Sequence, residues 1–155
     1  IVSHKVQTTR FCVRGICNYT FEDQSQSQVI LIDTPGIFLA KRRFDKAMVS
    51  AAWSELSHSD KVIFIHDVTK SLDENVIEIL KKIVKVKVNI IIVLNKIDLL
   101  LKEELFKKIC EFKSYCEFER IFLISAKNGD GCKELIEYLA YSMRSHPLMY
   151  DNETV

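Results

Sequence analysis

Three short clusters in the chain carry side chains suited to recognising a nucleotide. Asp33-Thr34-Pro35-Gly36, Asn95-Lys96-Ile97-Asp98 and Ser125-Ala126-Lys127 each follow directly on an apolar run, namely Val29–Ile32, Asn89–Leu94 and Ile121–Ile124. An ionised carboxylate such as Asp98 only accepts, and its two oxygens suit the ring N–H and exocyclic amino group of guanine. A purine lacking those donors would leave a buried carboxylate unpaired, a discrimination of roughly 10⁴-fold or more. In the same arrangement Asn95 braces its loop and reaches the base edge, while the Lys96 stem covers one face of the ring. The Ala126 N–H donates to the guanine carbonyl oxygen, Ser125 orients Asp98, and the Lys127 stem flanks the base. Each cluster also has a plain reading: D-T-P-G is a good turn sequence, N-K-I-D a strand-end turn with solvated ends, and S-A-K a polar lead into Asn128-Gly129-Asp130-Gly131. Taken together, three separate strand ends fit roles at one guanine nucleotide, which coincidence explains poorly.

The elements that must hold these clusters are written in the hydrophobic pattern. Val29–Ile32, Val62–Ile65, Asn89–Leu94 and Ile121–Ile124 are short, nearly continuous runs of β-branched or large apolar residues, as in strands buried on both faces of a parallel sheet. Helical spacing fills the intervals at Phe44–Leu56, Leu72–Val86, Glu103–Tyr115 and Lys133–Met143. In the second of these Val76, Ile77, Leu80, Ile83 and Val84 form one stripe opposite lysines. Strand and helix alternate, so the class is α/β, with the clusters at strand carboxyl ends where ligands sit in open α/β sheets. The segment Arg10–Tyr19, followed by the polar stretch Glu22–Gln28, predicts an antiparallel hairpin at one sheet edge, with the glutamines and serines as a solvated turn.

Composition bounds the rest. A chain of 155 residues with 48% hydrophobic and 28% charged side chains has the makings of one folded domain, neither a disordered tail nor a membrane span. Lysine and arginine number 22 against 21 aspartates and glutamates, a net charge of +1, so no overall basic field points to nucleic acid. The five cysteines (Cys12, Cys17, Cys110, Cys116, Cys132) contain no C-x-x-C pair, which predicts reduced cytoplasmic thiols without a disulfide partner and no zinc site. Of the four glycines (Gly15, Gly36, Gly129, Gly131), none forms a G-x-x-x-x-G-K phosphate loop.

The three clusters resemble the third, fourth and fifth signature motifs of translation-factor-like P-loop GTPases. Ser3-His4-Lys5-Val6-Gln7-Thr8-Thr9-Arg10, followed by Val13-Arg14-Gly15-Ile16, is similar specifically to the switch I region of the Era family. The resemblance implies a Ras-like, three-layer P-loop NTPase fold, a mostly parallel sheet with one antiparallel edge strand. It implies GTP and GDP as ligands with Mg²⁺. Thr9, or its neighbour Thr8, is then the switch I threonine that meets Mg²⁺ and the γ-phosphate; Asp33 holds Mg²⁺ through water, and the Gly36 backbone N–H meets the γ-phosphate. Thr9, Asp33 and Gly36 are thus the expected catalytic set, and Asn95, Lys96, Asp98, Ser125, Ala126, Lys127 and Thr8 bind the nucleotide. Ile37 stands where a Ras-like protein has a water-orienting glutamine, which implies slow hydrolysis.

By the same resemblance residues 1–147 are a partial G domain and residues 148–155 begin a linker toward a KH domain that contacts small-subunit ribosomal RNA. The family's first strand and phosphate loop would precede Ile1. That strand is central, between the strands ending at Asp33 and near His66, so without it two apolar edges are expected to be exposed. The implied function is a slow GTP-hydrolysing switch in small-subunit assembly, with peripheral membrane association by family analogy. The alternatives are another ribosome- or tRNA-associated GTPase and a nucleotide-free, non-catalytic fragment.

Overall fold

The structure, a computed structural model, describes residues 13–33, 53–54, 56–86, 88–143 and 149–150. Three parallel strands occupy its centre: β3 (Lys61–Asp67), β4 (Asn89–Asn95) and β5 (Arg120–Ile124), with β4 in the middle. Alternate residues of β4 serve opposite faces, as the pleat requires. Ile90, Ile92 and Leu94 join one core with Val62, Leu80, Ile83, Leu105 and Phe112. Ile91 and Val93 join a second with Phe122, Ile124, Leu139 and Ala140.

Helices α1 (Glu74–Lys85) and α2 (Lys102–Tyr115) supply the first face and α3 (Cys132–Ser142) the second, giving three layers. Asp73 caps α1 by accepting from the Val76 N–H at 2.9 Å; Glu74 opens the helix and Lys82 and Lys85 close it, matching its dipole. At α2 the Glu104 carboxylate reaches back to the Leu101 N–H at 3.0 Å. The predicted helices at Leu72–Val86, Glu103–Tyr115 and Lys133–Met143 agree with these elements to within two residues at each end. Of the predicted helix Phe44–Leu56 only its end falls among the described residues, where 53–54 and 56–58 are helical.

The hairpin forms as expected, with β1 (Val13–Thr20) antiparallel to β2 (Gln26–Asp33), but its turn is shorter than predicted. Gln26, Ser27 and Gln28 belong to β2, paired with Thr20, Tyr19 and Asn18. The turn is confined to residues 21–25, where Asp23 Oδ1 accepts from the Ser25 N–H and hydroxyl. Polar residues continue the ladder here because the backbone, not the side chain, makes it. Gln28 also fastens a segment far along the chain. Its amide oxygen accepts from the Met149 and Tyr150 N–H groups and its amide nitrogen donates to the Tyr150 carbonyl, each at 3.0 Å.

Among the described residues the five strands form two sheets, β1–β2 and β3–β4–β5. Residues of β2 and β3 line a common cleft of about 1370 Å³ between them. Leu31 (38%) and Ile65 (62%) are exposed there, and among the described residues no strand lies between the two edges. The hairpin is joined to the rest through α3. Ser27 Oγ donates to the Ala140 carbonyl at 3.2 Å, the Tyr19 hydroxyl to Glu137 at 3.2 Å, and Phe21 stacks on Tyr141 with centroids 4.7 Å apart. Cys17, Cys110, Cys116 and Cys132 are free thiols. Among the described residues no helix is long and apolar enough to cross a membrane.

Edges that are unpaired among the described residues are of the kind that recruits further strands. Expressed as these 155 residues alone, the chain is expected to self-associate in light scattering and to melt without cooperativity by circular dichroism. A monodisperse monomer with a sharp transition is the contrary result.

Candidate nucleotide site

The parallel register sets the site. Asp67 lies level with Asn95, and Asn95 level with Ile124, so the carboxyl ends of β3, β4 and β5 finish side by side and Ser125 follows at once. Each end then turns through a short polar segment.

Asn95 ties two of these segments together. Its side-chain oxygen accepts from the Lys96 N–H at 2.8 Å and from the Ala126 N–H, across the loops, at 3.0 Å. Ser125 is fully buried, and its hydroxyl donates to Asp98 Oδ1 at 2.7 Å. The Ser125 carbonyl meanwhile accepts from the Asn128 and Gly129 N–H groups at 3.2 and 2.8 Å, and its own N–H donates to the Asp130 carbonyl at 2.9 Å. Five residues of the predicted set, Asn95, Lys96, Asp98, Ser125 and Ala126, are therefore joined in one network, with Lys127 exposed beside it. The Ala126 N–H, expected to serve a guanine carbonyl, also donates to the Asn95 side chain, because the strand register brings that amide oxygen opposite it.

Lys96 stands in the left-handed region at φ 69° and ψ 36°, uncommon for a residue with a Cβ, and opens the 3₁₀ turn Ile97–Leu99 that carries Asp98. Its ammonium pairs with Asp67 Oδ2 at 2.6 Å. Asp67 lies outside the three clusters, although the sequence carries the same signal for it: an acidic residue at a strand end, followed two positions later by a threonine. Its Oδ1 accepts from the Thr69 N–H at 3.0 Å and the Thr69 hydroxyl at 2.6 Å. Partial burial alone would raise the Asp67 carboxyl, but the Lys96 ammonium and the Thr69 donors outweigh it and hold the pKa at about 2.

The turn after β3 is anchored from below. His66 is buried, its Nε2 lies 3.2 Å from the Lys70 carbonyl, and its ring meets the Phe112 ring edge-on at 5.3 Å. The Lys108 ammonium donates to the same carbonyl at 3.1 Å. Asp33 ends β2 as an exposed residue lining the cleft that Asp67 and Thr69 also line. As an oxygen donor at a strand end it suits a hard cation. Thr8, Thr9 and Gly36 lie outside the described residues.

Residues 2–145 match the elongation factor Tu GTP binding domain. The chain belongs to that family. It is similar along its whole length to GTPase Era of Brucella suis biovar 1 (strain 1330), 39% identical over 155 residues, which is 100% of this chain and 48% of that protein. Among solved structures it is similar to Era in complex with MgGDPNP and nucleotides 1506–1542 of 16S ribosomal RNA, with a TM-score of 0.83 and 30% identity over 98% of this chain and 51% of that one. A variant of Aquifex aeolicus Era bound to GDP·AlF₄⁻ gives a TM-score of 0.85 and 29% identity over 97% of this chain and 50% of that one. The chain spans about half the length of the curated relatives it matches. The fold is that of the GTP-binding domains, with parallel strands and an antiparallel pair.

Two outcomes test the frame of the site. Gly131, at φ 70°, closes the loop after Ser125, and a Cβ there would collide with the Leu123 carbonyl oxygen. Gly131→Ala is expected to lower the urea stability of the full-length protein by about 1–3 kcal/mol. Burial pushes the His66 imidazole below its ordinary 6.5, against the opposing pull of the Lys70 carbonyl. The unfolded chain thus takes up this proton first. The contribution is intact above pH 6.5 and is lost progressively as pH falls below it. His66→Gln is expected to flatten that part of the stability profile, and an unchanged slope would assign the dependence elsewhere.

Proposed function

We propose that the chain is the guanine-reading and switch-bearing part of an Era-type GTPase. In this reading the whole protein binds GTP with Mg²⁺, hydrolyses it slowly, and uses the nucleotide cycle to govern its hold on small-subunit ribosomal RNA. The observation that carries the proposal is the pair of bonds across the loops, Ser125 to Asp98 and Ala126 to Asn95. They fix a carboxylate beside a rigid strand end with acceptor capacity in reserve. A carboxylate has about four lone-pair sites, and among the described residues only the Ser125 hydroxyl donates to Asp98.

The ring N–H and exocyclic amino group of guanine fill that capacity. The guanine carbonyl shares the Ala126 N–H with Asn95 as a three-centre bond, and the Lys96 and Lys127 stems flank the base. Asp33 would be the residue that holds Mg²⁺, which when bound would supply neutralisation of phosphate charge. Thr9, with Thr8 beside it, and the Gly36 N–H take the γ-phosphate-sensing roles that the resemblance gives them. Ile37 offers the attacking water no hydrogen bond, so hydrolysis is slow. With a net charge of +1, the chain supplies no overall basic field for RNA. That contact belongs to a KH domain reached through residues 148–155, and the protein works in the cytoplasm. The similarity to an Era structure holding MgGDPNP and 16S ribosomal RNA supports this reading.

In the full-length protein, Asp98→Asn exchanges one carboxylate acceptor for an amide donor, which suits the ring carbonyl of xanthine. Titration with fluorescent nucleotides is expected to show GDP affinity falling by about 10- to 100-fold and preference moving toward XDP. Unchanged preference for guanine removes Asp98 from the site.

A further inference from the structure

The ion pair between Asp67 and Lys96 joins two strand ends, and neither partner is placed there by local sequence. Lys96 carries the strained backbone of the N-K-I-D turn, at φ 69°, and such strain persists only where the surroundings over-determine it. Two contacts do so. The Asn95 side chain holds the Lys96 N–H at 2.8 Å, and Asp67 Oδ2 holds the ammonium at 2.6 Å.

Asp67 is in turn prevented from swinging away. Both Thr69 donors occupy its other oxygen, and the Val68 N–H donates to the Asn95 carbonyl at 3.0 Å, fastening the two turns to each other. The Asp67 side chain is 17% exposed while that of Lys96 is 51% exposed, so the buried acid is the fixed point and the long lysine the part that is fixed. A lysine stem free in water samples many rotamers and loses that freedom on meeting a ligand; one already tethered at its tip has lost it in advance.

We infer that Asp67 is a positioning residue for nucleotide binding, tethering the Lys96 ammonium so that the four-carbon stem stands as a preformed wall for the purine ring. This rests on the proposed guanine site. It assigns a residue outside the N-K-I-D and S-A-K clusters to base binding and predicts what kind of binding it serves. A stem lying against a ring face reads neither the carbonyl nor the amino group of the base. Asp67 therefore strengthens purine binding without contributing to the choice of purine, whereas Asp98 makes that choice.

The experiment uses the full-length protein and equilibrium titration with GDP and XDP, comparing Asp67→Asn, Asp67→Glu, Lys96→Met, the Asp67→Asn/Lys96→Met double variant and Asp98→Asn. Asp67→Asn is expected to weaken GDP and XDP alike by about 5-fold, the upper end of the scale for one lost ion pair with an exposed partner, with their ratio within about twofold of the parent. Lys96→Met keeps a stem but loses the ammonium, so adding Asp67→Asn to it costs no more than about twofold further. Asp67→Glu restores part of the loss. Additive losses in the double variant, a changed GDP to XDP ratio in Asp67→Asn, or affinities indistinguishable from the parent each overturn the inference. Should Asp67→Asn fail to fold by circular dichroism, Lys96→Met at its exposed position decides: the same uniform loss is expected, and no loss overturns it. Asp98→Asn separates the two levels. If it shifts preference toward XDP while Asp67→Asn and Lys96→Met do nothing, only the tether fails; if it shifts nothing, the guanine site itself fails.

Discussion

Strand β4 sets the position of the three strand ends that carry Asp67, Asn95 and Ser125. Its residues Ile90 to Leu94 are at most 5% exposed, and its backbone is bonded to β3 on one side and β5 on the other. Because side chains alternate, slipping the register by one residue would exchange the two faces, turning Ile91 and Val93 toward α1 and α2 and Ile92 toward α3. Burial on both sides forbids that. The same register puts Asn95 opposite Asp67 and Ile124, and from that placement the bonds to Ala126 and Val68 follow. The site inherits its placement from core packing, and the bonds between the loops complete it.

The hairpin is governed differently. No ladder links β2 to β3 among the described residues, so the position of Asp33 depends on contacts with α3: the Ser27 bond to Ala140, the Tyr19 bond to Glu137, and Val29 in the core with Leu139. Helix α3 begins immediately after Gly131, whose left-handed backbone closes the loop that starts at Ser125. Asp33 and the loop that starts at Ser125 are thereby referred to one helix, the hairpin through residues toward its C-terminal end and the loop through its N-terminus.

Much of this is legible in the sequence because two strong periodicities write it. Continuous β-branched runs announce β3, β4 and β5, and the stripe Val76, Ile77, Leu80, Ile83 announces α1, since burial on two faces or on one is a demand on residue type. The strand ends follow, and with them Asn95, Asp98 and Ser125. Where sequence and structure part, contacts between distant residues are the reason. Gln26 to Gln28 have the composition of a solvated turn, yet a strand partly open to solvent tolerates glutamine, and Gln28 is occupied by Met149 and Tyr150. Composition cannot report a partner more than a hundred positions away. The Ala126 N–H likewise looks available to a ligand, because its engagement by Asn95 exists only once β4 and β5 are in register.

Asp67 and Asp98 show how a fold assigns different work to one residue type. Asp67 is committed internally: one oxygen serves Thr69 twice, the other Lys96, and its pKa near 2 keeps it ionised wherever the protein is folded at ordinary pH. Asp98 is exposed, and Ser125 engages one of its oxygens. Ser125 is fully buried, so its hydroxyl cannot be shared with bulk water and acts as a fixed pointer on that carboxylate. Both Asp67 oxygens are thus occupied by the protein's own groups, whereas among the described residues the Ser125 hydroxyl alone donates to Asp98. Two aspartates, one at the end of β3 and one in the turn after β4, therefore differ in the acceptor capacity that the fold leaves open, and the difference is set by which of them the protein's own donors have already filled.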